Sequence, residues 1–441
     1  MSFKEIFRSL GPGVITGAAD VDPATIGTYS QAGTQFGFGM VWLALFQYPM
    51  MAIVQEMCAR IGLVTGSGLG AVIREKYSRK IALTIASLIL VANTINIGAD
   101  IGVMAASIKL FVPQIPTLIA TVSFIVLILA SEILISYRTY VKILTYLTLS
   151  LLSYVVTATI VSGNLEHLLV ATVIPHFEVT PGFTMMFIAI FGATLTPYAF
   201  FWQASQEAEE DIAKGKVNEI SEDSKVCSNS ITASRIVKPP KISKKEVKMM
   251  RLDTAIGMAF SQIIMWAIIT TTAGSLHAHN ITDIQTADQA AKTLQPLVKT
   301  FPNAGEIAKV IFAVGIIGTG LLAIPVMAGS SAYVLSDVFE WKQGLNKKFS
   351  QAKAFYFVIA ASTIIGLWMN FSTVDPIKAL VYTSVINGLV APPVLVTIIS
   401  VANDKMILKG NVNSKLQNII AWFTVVIMAV SIVIFLFSWG H

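Results

Sequence analysis

Long apolar segments recur along the whole chain and are separated by short polar ones. A helix that crosses the hydrocarbon core of a bilayer needs about 20 mostly apolar residues, and many of these segments reach that length. The first and third are longer, which indicates tilted or broken helices. The pattern predicts about eleven transmembrane helices, at residues 12–38, 40–60, 81–111, 116–136, 142–162, 183–205, 254–276, 306–334, 353–371, 377–400 and 417–437.

The composition agrees with this pattern. Of the 441 residues, 54% are hydrophobic and 13% are charged, whereas about a quarter of the residues of a soluble domain are charged. No nucleophile with an adjacent base and no phosphate-binding loop is apparent, so we expect neither an enzyme nor a bound cofactor. The sequence predicts an all-α membrane protein with a single transmembrane domain over residues 1–441.

The positive charge is unevenly distributed between alternate connections. The N-terminus and segments 58–80, 137–142, 206–251, 340–353 and 401–416 hold 26 of the 31 Lys and Arg residues. Because cytoplasmic loops carry the excess of Lys and Arg, we expect the N-terminus in the cytoplasm and the C-terminus outside, in the plasma (inner) membrane. The net charge of +6 therefore indicates a bilayer rather than a nucleic acid as partner.

The largest polar insert spans residues 206–251. It begins with an acidic cluster and continues into a Lys-rich stretch with Pro239 and Pro240. We interpret it as a flexible, solvated cytoplasmic loop. Its lysines near the membrane surface leave a regulatory or lipid-binding role open.

Two segments echo each other, Gly17–Ala24 in the first span and Gly192–Ala199 in the sixth. Five spans begin at each, and because five is odd the second set is inverted relative to the first. Paired helices interrupted by Gly or Pro in inverted halves indicate the central site of a transporter. We expect one repeat at residues 12–162, a second at 183–400, and an additional helix at 417–437.

Two aspartates lie in the first of these segments. A carboxylate at mid-bilayer costs at least about 2.5–3.5 kcal/mol, so it is retained where it faces a cavity, a partner or an ion. Pro23 disfavours helix at Asp22, which frees carbonyls around Ala19 to face a cation. Carboxylates and carbonyls are ligands for hard cations. Helix capping by Asp22, and a vestibule position for Asp20, are the structural alternatives.

Several motifs occur in the order found in one transporter family. They are Gly11–Gly13, Asp22–Pro23, Ala32–Gly37 and Ala59–Gly66. On these motifs the chain resembles the Nramp divalent metal transporters over nearly its whole length. The resemblance implies a LeuT-type fold of about eleven helices, with a 5+5 inverted repeat and broken helices 1 and 6.

The resemblance also implies a set of site residues. The family's metal-binding Asp corresponds to Asp22, and its carbonyl ligand to Ala193. Its Asn ligand corresponds in position to Thr25, and its Met ligand to Thr196. The adjacent His of the family is Tyr198 here. The departures at these positions are similar to those of the divergent, Nramp-related magnesium transporters.

The replaced residues change the chemistry expected at the site. A thioether is a soft ligand that favours transition metals, whereas a Thr hydroxyl is a hard oxygen. Mg²⁺ is usually held by few carboxylates and retains several waters. A site of Asp22, Ala19, Thr25, Ala193 and Thr196 therefore predicts transport of hard divalent ions, Mg²⁺ first and Mn²⁺ second.

The proton route of the family is altered as well. Its acidic positions in the third helix fall at Asn96 and Ala99, with Asp100 adjacent, and Asn cannot relay protons by titrating. A divalent cation gains about 4.6 kcal/mol from a potential of 100 mV, so uniport is thermodynamically sufficient. Asn387 in span 10 falls where the family has polar residues that face the site, although packing is the alternative.

The sequence therefore predicts a secondary transporter that imports divalent metal cations without obligatory proton coupling. A proton-coupled Mn²⁺/Fe²⁺ symporter is the alternative. A signalling membrane domain that transports nothing is a third hypothesis, disfavoured because the chain has no large cytoplasmic domain. No pattern indicates an oligomeric state.

Overall fold

The computed structural model describes residues 11–134, 148–163, 165–216, 240–368 and 375–439. Within these ranges the secondary structure is helical and contains no strand, as the apolar pattern predicts. In chain order the α-helices are α1 Pro12–Ala19, α2 Pro23–Phe36, α3 Trp42–Thr65, α4 Leu69–Lys76, α5 Arg79–Ile108, α6 Thr117–Leu134, α7 Leu152–Val161, α8 Leu165–Val173, α9 Pro181–Thr194, α10 Pro197–Ala213, α11 Lys244–Ser275, α12 Ala287–Lys292, α13 Ala304–Phe339, α14 Lys353–Gly366, α15 Pro376–Ala402, α16 Lys405–Leu408 and α17 Lys415–Trp439.

Most of the predicted spans coincide with one long helix or with a pair of shorter ones. By length and apolarity, six helices of the described residues can cross a membrane, or up to eight if each of two bent pairs counts as one span. In one of these pairs the segments Pro23–Met40 and Trp42–Thr65 meet at 107°. Parts of predicted spans 4, 5 and 9 fall on residues 135–147 and 369–374, outside the described ranges.

The first predicted span is broken between α1 and α2. Pro23 occupies the first turn of α2, where its missing N–H costs nothing, and Asp22 is the N-cap residue in an extended conformation. The Asp22 carboxylate accepts a hydrogen bond from the Thr25 amide, as N-cap residues do. The break therefore falls where the Asp22-Pro23 pair predicts it.

The sixth predicted span is broken in the same way between α9 and α10. Leu195 leaves the helical conformation with φ −104° and ψ 63°, and Pro197 opens α10. Thr196 is the extended N-cap residue, but its side chain makes no capping hydrogen bond. Its hydroxyl is therefore available to another partner.

The two half-helices on the N-terminal side of each break contact their neighbours through backbone. A Cβ added to Gly17 of α1 would lie 2.2 Å from the carbonyl oxygen of Gly257 in α11. A Cβ added to Gly192 of α9 would lie 1.9 Å from the carbonyl oxygen of Ser384 in α15. No real Cβ contact is that short, so only glycine fits at either position.

The insert predicted over residues 206–251 has helical ends. α10 continues to Ala213, and α11 begins at Lys244, because Ser243 and Glu246 form a capping box that starts it. The boundaries of the predicted flexible loop were therefore wrong at both ends. Residues 217–239 in its middle lie outside the described ranges.

Candidate metal site

The carboxylate of Asp22 lies where the two broken helices meet. Its Oδ1 accepts a hydrogen bond from the Thr25 amide at 2.6 Å. Its Oδ2 accepts from Asn96 Nδ2 of α5 at 3.1 Å and from the Tyr198 hydroxyl of α10 at 3.2 Å. Only 1% of Asp22 is exposed, so the carboxylate is held by oriented donors away from solvent.

Backbone carbonyls from both breaks lie beside these donors. The Tyr198 hydroxyl is 3.2 Å from the Ala19 carbonyl oxygen at the end of α1. The Thr25 hydroxyl donates to the Ala193 carbonyl at 3.3 Å. We call the hydrogen-bonded group Asp22, Ala19, Thr25, Ala193, Tyr198 and Asn96 the Asp22 cluster. It unites four of the five predicted metal ligands with two of the predicted secondary residues.

The fifth predicted ligand, Thr196, belongs to a different group. Its hydroxyl donates to Asp20 Oδ1 at 3.0 Å, and the Ser261 hydroxyl of α11 donates to Asp20 Oδ2 at 2.8 Å. We call Asp20, Thr196 and Ser261 the Asp20 cluster. Asp20 is fully buried, so the alternative of a vestibule position does not match the structure. Burial follows because these two hydroxyls, from α10 and α11, satisfy the carboxylate.

Asp100 and Asn387 differ in their relation to the first break. Asp100 Oδ1 of α5 accepts from the Ala24 amide, in the first turn of α2, at 2.9 Å. Its Oδ2 is buried and has no hydrogen-bond partner among the described residues. Asn387 is buried in α15, and within the described residues no hydrogen bond joins it to the other predicted site residues. Ser384, one turn earlier, accepts from the Thr28 hydroxyl at 2.8 Å.

Two residues at the site were not predicted from the sequence. Ser261 satisfies half of the Asp20 carboxylate. Met327 of α13 places its Sδ 2.9 Å from Asn96 Nδ2, the same nitrogen that donates to Asp22. Both lie in helices that are apolar over most of their circumference, so no amphipathic pattern shows which face points inward.

The site is closed on both sides along the broken helices. On the α2 and α9 side, the Tyr29 and Thr194 hydroxyls are 2.9 Å apart. On the α10 side, the Ser330 hydroxyl donates to the Tyr198 carbonyl at 2.9 Å, and Gln55 Nε2 donates to the Ala199 carbonyl at 2.8 Å. Hydrogen bonds between helices therefore lie on both sides of the Asp22 cluster.

The chemistry of the Asp22 cluster suits a cation that takes oxygen ligands. It offers one carboxylate, two carbonyls at helix ends and hydroxyl groups. Within the described ranges, no three His, Cys, Asp or Glu side chains group closely enough to hold a metal ion. An ion at Asp22 would therefore depend on the neutral oxygens as well as on the carboxylate, as hard divalent ions commonly do.

Two broken helices that meet at a buried carboxylate define the chain as a secondary-transporter fold. The family model described as Natural resistance-associated macrophage protein-like, Nramp, matches residues 13–438. The chain belongs to the Nramp family. Members of this family are integral membrane transporters, which confirms the predicted family, the membrane location and the expectation that the protein is not an enzyme.

Curated relatives match over nearly the whole chain. The divalent metal cation transporter MntH of Klebsiella pneumoniae (strain 342) is 23% identical over 428 residues, which cover 95% of this chain and 91% of the relative. The protein of the same name from Ralstonia nicotianae is 22% identical over 439 residues, which cover 97% and 90%.

Solved structures match the fold. The Eremococcus coleocola manganese transporter, in complex with an aromatic bis-isothiourea compound, aligns with a TM-score of 0.68 at 17% identity, over 97% of this chain and 86% of that one. Mhp1, a nucleobase-cation-symport-1 family transporter, aligns in a closed conformation with a TM-score of 0.57 at 14% identity, over 93% and 81%. The predicted LeuT-type fold is confirmed, whereas the bounds 12–162 and 183–400 of the two repeats stay a prediction.

Proposed function

We propose that the protein imports divalent metal cations and that Asp22 is the principal ligand. The observation that carries this proposal is the buried carboxylate itself, whose partners Tyr198 and Thr25 also contact the Ala19 and Ala193 carbonyls of the two broken helices. The relatives named as divalent metal cation transporters and the manganese transporter of the same fold support the same substrate class. The predicted orientation, with the N-terminus in the cytoplasm, gives uptake driven by a negative interior.

Within this class we propose hard ions, Mg²⁺ and Mn²⁺, as substrates. The broken helices supply oxygen atoms only, from Asp22, Thr25, Ala19 and Ala193. Thr196 adds a hydroxyl at the second break. Oxygen ligands suit both ions, and the similarity to a manganese transporter makes Mn²⁺ as strong a candidate as Mg²⁺.

We further propose that ion movement is not obligatorily coupled to protons. The Asp22 carboxylate is surrounded by donors that do not titrate near neutral pH, Asn96 Nδ2 and the Tyr198 hydroxyl. The membrane potential alone supplies about 4.6 kcal/mol per divalent ion at 100 mV. Asp20 and Asp100 are the buried carboxylates through which the alternative, a proton-coupled symporter, would operate.

The test is uptake into liposomes that hold the purified protein, with a pH-sensitive dye inside and the potential clamped. We expect Mg²⁺ and Mn²⁺ to accumulate while the internal pH stays constant. Asp22→Asn in the same membranes is the inactive control, since it keeps the shape and removes the charge. Acidification in a fixed ratio to metal flux would restore the symporter, and absence of flux for every divalent ion would refute metal transport.

A further inference from the structure

The Met327 thioether and the Asp22 carboxylate contact the same atom, Asn96 Nδ2. Asn96 Nδ2 is 3.1 Å from Asp22 Oδ2 and 2.9 Å from Met327 Sδ. Met327 is fully buried in α13. At the two breaks the positions of Thr25, in the first turn of α2, and Thr196, the N-cap of α10, hold neither a thioether nor an amide side chain. Instead, the Asn96 amide of α5 contacts both the carboxylate and the Met327 sulfur of α13.

The turn of α13 that carries Met327 is held in place by Asn93, on the face of α5 that also carries Asn96. Asn93 Nδ2 donates to the Met327 carbonyl at 3.0 Å and to the Ser331 hydroxyl at 2.9 Å. Asn93 and Asn96 are three residues apart, so both side chains project from one side of α5. The sulfur atom is therefore held at the site by its own backbone, independently of Asn96.

The amide of Asn96 is only half satisfied. Nδ2 has two partners, whereas Oδ1 is buried and has none in the described part of the chain. A turn of the amide by 180° would exchange the two atoms and place Oδ1 about where Nδ2 now lies. The 3.1 Å between Nδ2 and Asp22 Oδ2 is close to the ~3.0 Å between adjacent oxygens around an octahedral ion whose metal–oxygen bonds are about 2.1 Å.

We propose that Asn96 Oδ1 and Met327 Sδ are ligands of the transported ion and that Met327 determines how well soft ions compete. Without an ion, Nδ2 donates to the Asp22 carboxylate. With an ion, the amide turns over and Oδ1 replaces that donor, while the adjacent sulfur joins the coordination shell. The proposal rests on the proposed function, because it adds ligands to the Asp22 site.

The thioether predicts a particular order of effects. Sulfur ligands favour soft metals over Mg²⁺, so removal of the sulfur should weaken Cd²⁺ most, Mn²⁺ less and Mg²⁺ least. Removal of the amide should weaken all three ions, since an amide oxygen binds hard and soft ions alike. A residue that only fills space would change the three affinities together or not at all.

The experiment is calorimetric titration of the purified, detergent-solubilised protein with Cd²⁺, Mn²⁺ and Mg²⁺. Met327→Leu is close to volume-conserving, a change that cores tolerate. We expect it to weaken Cd²⁺ binding about tenfold or more, in the range of ligand-shell changes, and to leave Mg²⁺ within about twofold. Met265→Leu is the matched control, because this buried α11 thioether contacts Thr194 at 3.9 Å rather than the Asp22 cluster.

X-ray absorption at the cadmium edge supplies a readout that does not depend on affinity. We expect one sulfur neighbour in the native protein and in Met265→Leu, and none in Met327→Leu. The inference would be overturned if the sulfur neighbour persisted in Met327→Leu or were absent from the native protein. Binding that still depended on Asp22 would in that case leave the proposed function intact. Failure of the native protein to bind any divalent ion would reject both.

Discussion

The two helix breaks occupy equivalent places in the chain but present opposite chemistry. The first, between α1 and α2, carries two carboxylates, and Asp22 caps its own helix through the Thr25 amide. The second, between α9 and α10, carries none. Thr196 holds the same N-cap position there, yet its hydroxyl crosses to Asp20. The first break supplies negative charge. The second supplies neutral oxygens, and its Thr196 hydroxyl joins the two breaks through Asp20.

The difference explains how a cation can be accommodated at helix ends. The positive ends of helix dipoles lie at N-termini and the negative ends at C-termini. Carbonyls from the C-terminal ends of α1 and α9 reach the site through Ala19 and Ala193. The N-terminus of α2, which would repel a cation, is offset by Asp22 and by Asp100 at the Ala24 amide. The carboxylates at the first break therefore cap the N-terminus of α2 and also attract a cation.

The largest expected effect comes from removing the charge of the first break. Asp22→Ala should lower uptake of Mg²⁺ and Mn²⁺ by at least about 100-fold, because no other carboxylate belongs to the Asp22 cluster. The measurement is initial flux into liposomes, with size-exclusion profiles to verify that the variant is folded. Flux within a few fold of the native protein would show that the first break does not hold the ion.

A smaller effect is expected from the link between the breaks. Asp20→Asn weakens acceptance from Thr196 and Ser261 at once, and should lower flux about tenfold with a smaller change in binding affinity. Ser261→Ala removes one of the two donors and should cost less. Flux into liposomes measures the transport rate and calorimetry measures the binding affinity, both on the same preparations. Equal losses of affinity in Asp20→Asn and Asp22→Asn would mean that both carboxylates bind the ion.

The second break should set ion preference rather than activity. Thr196→Met places a thioether at the N-cap of α10, so competition of Cd²⁺ or Mn²⁺ against Mg²⁺ should improve by about threefold to tenfold. Thr196→Val, which keeps the shape and removes the hydroxyl, is the control. An unchanged competition profile would indicate that Thr196 serves Asp20 alone and does not face the ion.

The smallest effect is expected far from both breaks. Lys76 and Asp404 pair at 3.0 Å between spans, and the hydrogen bond from Lys76 lowers the pKa of Asp404. Because the pKa of Asp404 is lower in the folded than in the unfolded protein, the pair stabilises the fold at any pH above the unfolded-state pKa. This stability is lost as the pH falls through the folded-state pKa. Asp404→Asn should cost about 0.2–1 kcal/mol at neutral pH, less under acid conditions, and leave ion preference unchanged. Thermal unfolding at two pH values measures the difference.

The breaks could be located from the sequence because proline and aspartate act locally. Asp22-Pro23 and Thr196-Pro197 fix an extended residue followed by a helix start, whatever the surroundings. Ala19, Thr25 and Ala193 followed from the resemblance and the break. In the structure Thr25 bonds Asp22 directly, and the Ala19 and Ala193 carbonyls are linked to it through Tyr198 and Thr25. The bounds of the 206–251 insert were wrong because the Ser243–Glu246 capping box extends α11 beyond its apolar part.

The remaining contacts depend on how whole helices are rotated about their axes. Thr196 could face either aspartate, and only the packing of α10 against α1 turns it toward Asp20. Met327 and Ser261 lie in helices with apolar residues on every side, so their inward faces carry no periodic signal. The same limit applies to Asn387, which is buried in α15 one turn from Ser384 but is not bonded to the Asp22 cluster.

The glycine contacts of α1 and α9 have a mechanical consequence. Side chains that interlock between two helices must change rotamer before one helix can slide past the other. At Gly17 and Gly192 the backbones touch directly, so no side chains interlock at these two points between α1 and α11 and between α9 and α15. We therefore expect each half-helix to shift or tilt about its glycine contact more easily than a helix held by interlocked side chains, which would change the distance between the two broken ends without unpacking the bundle.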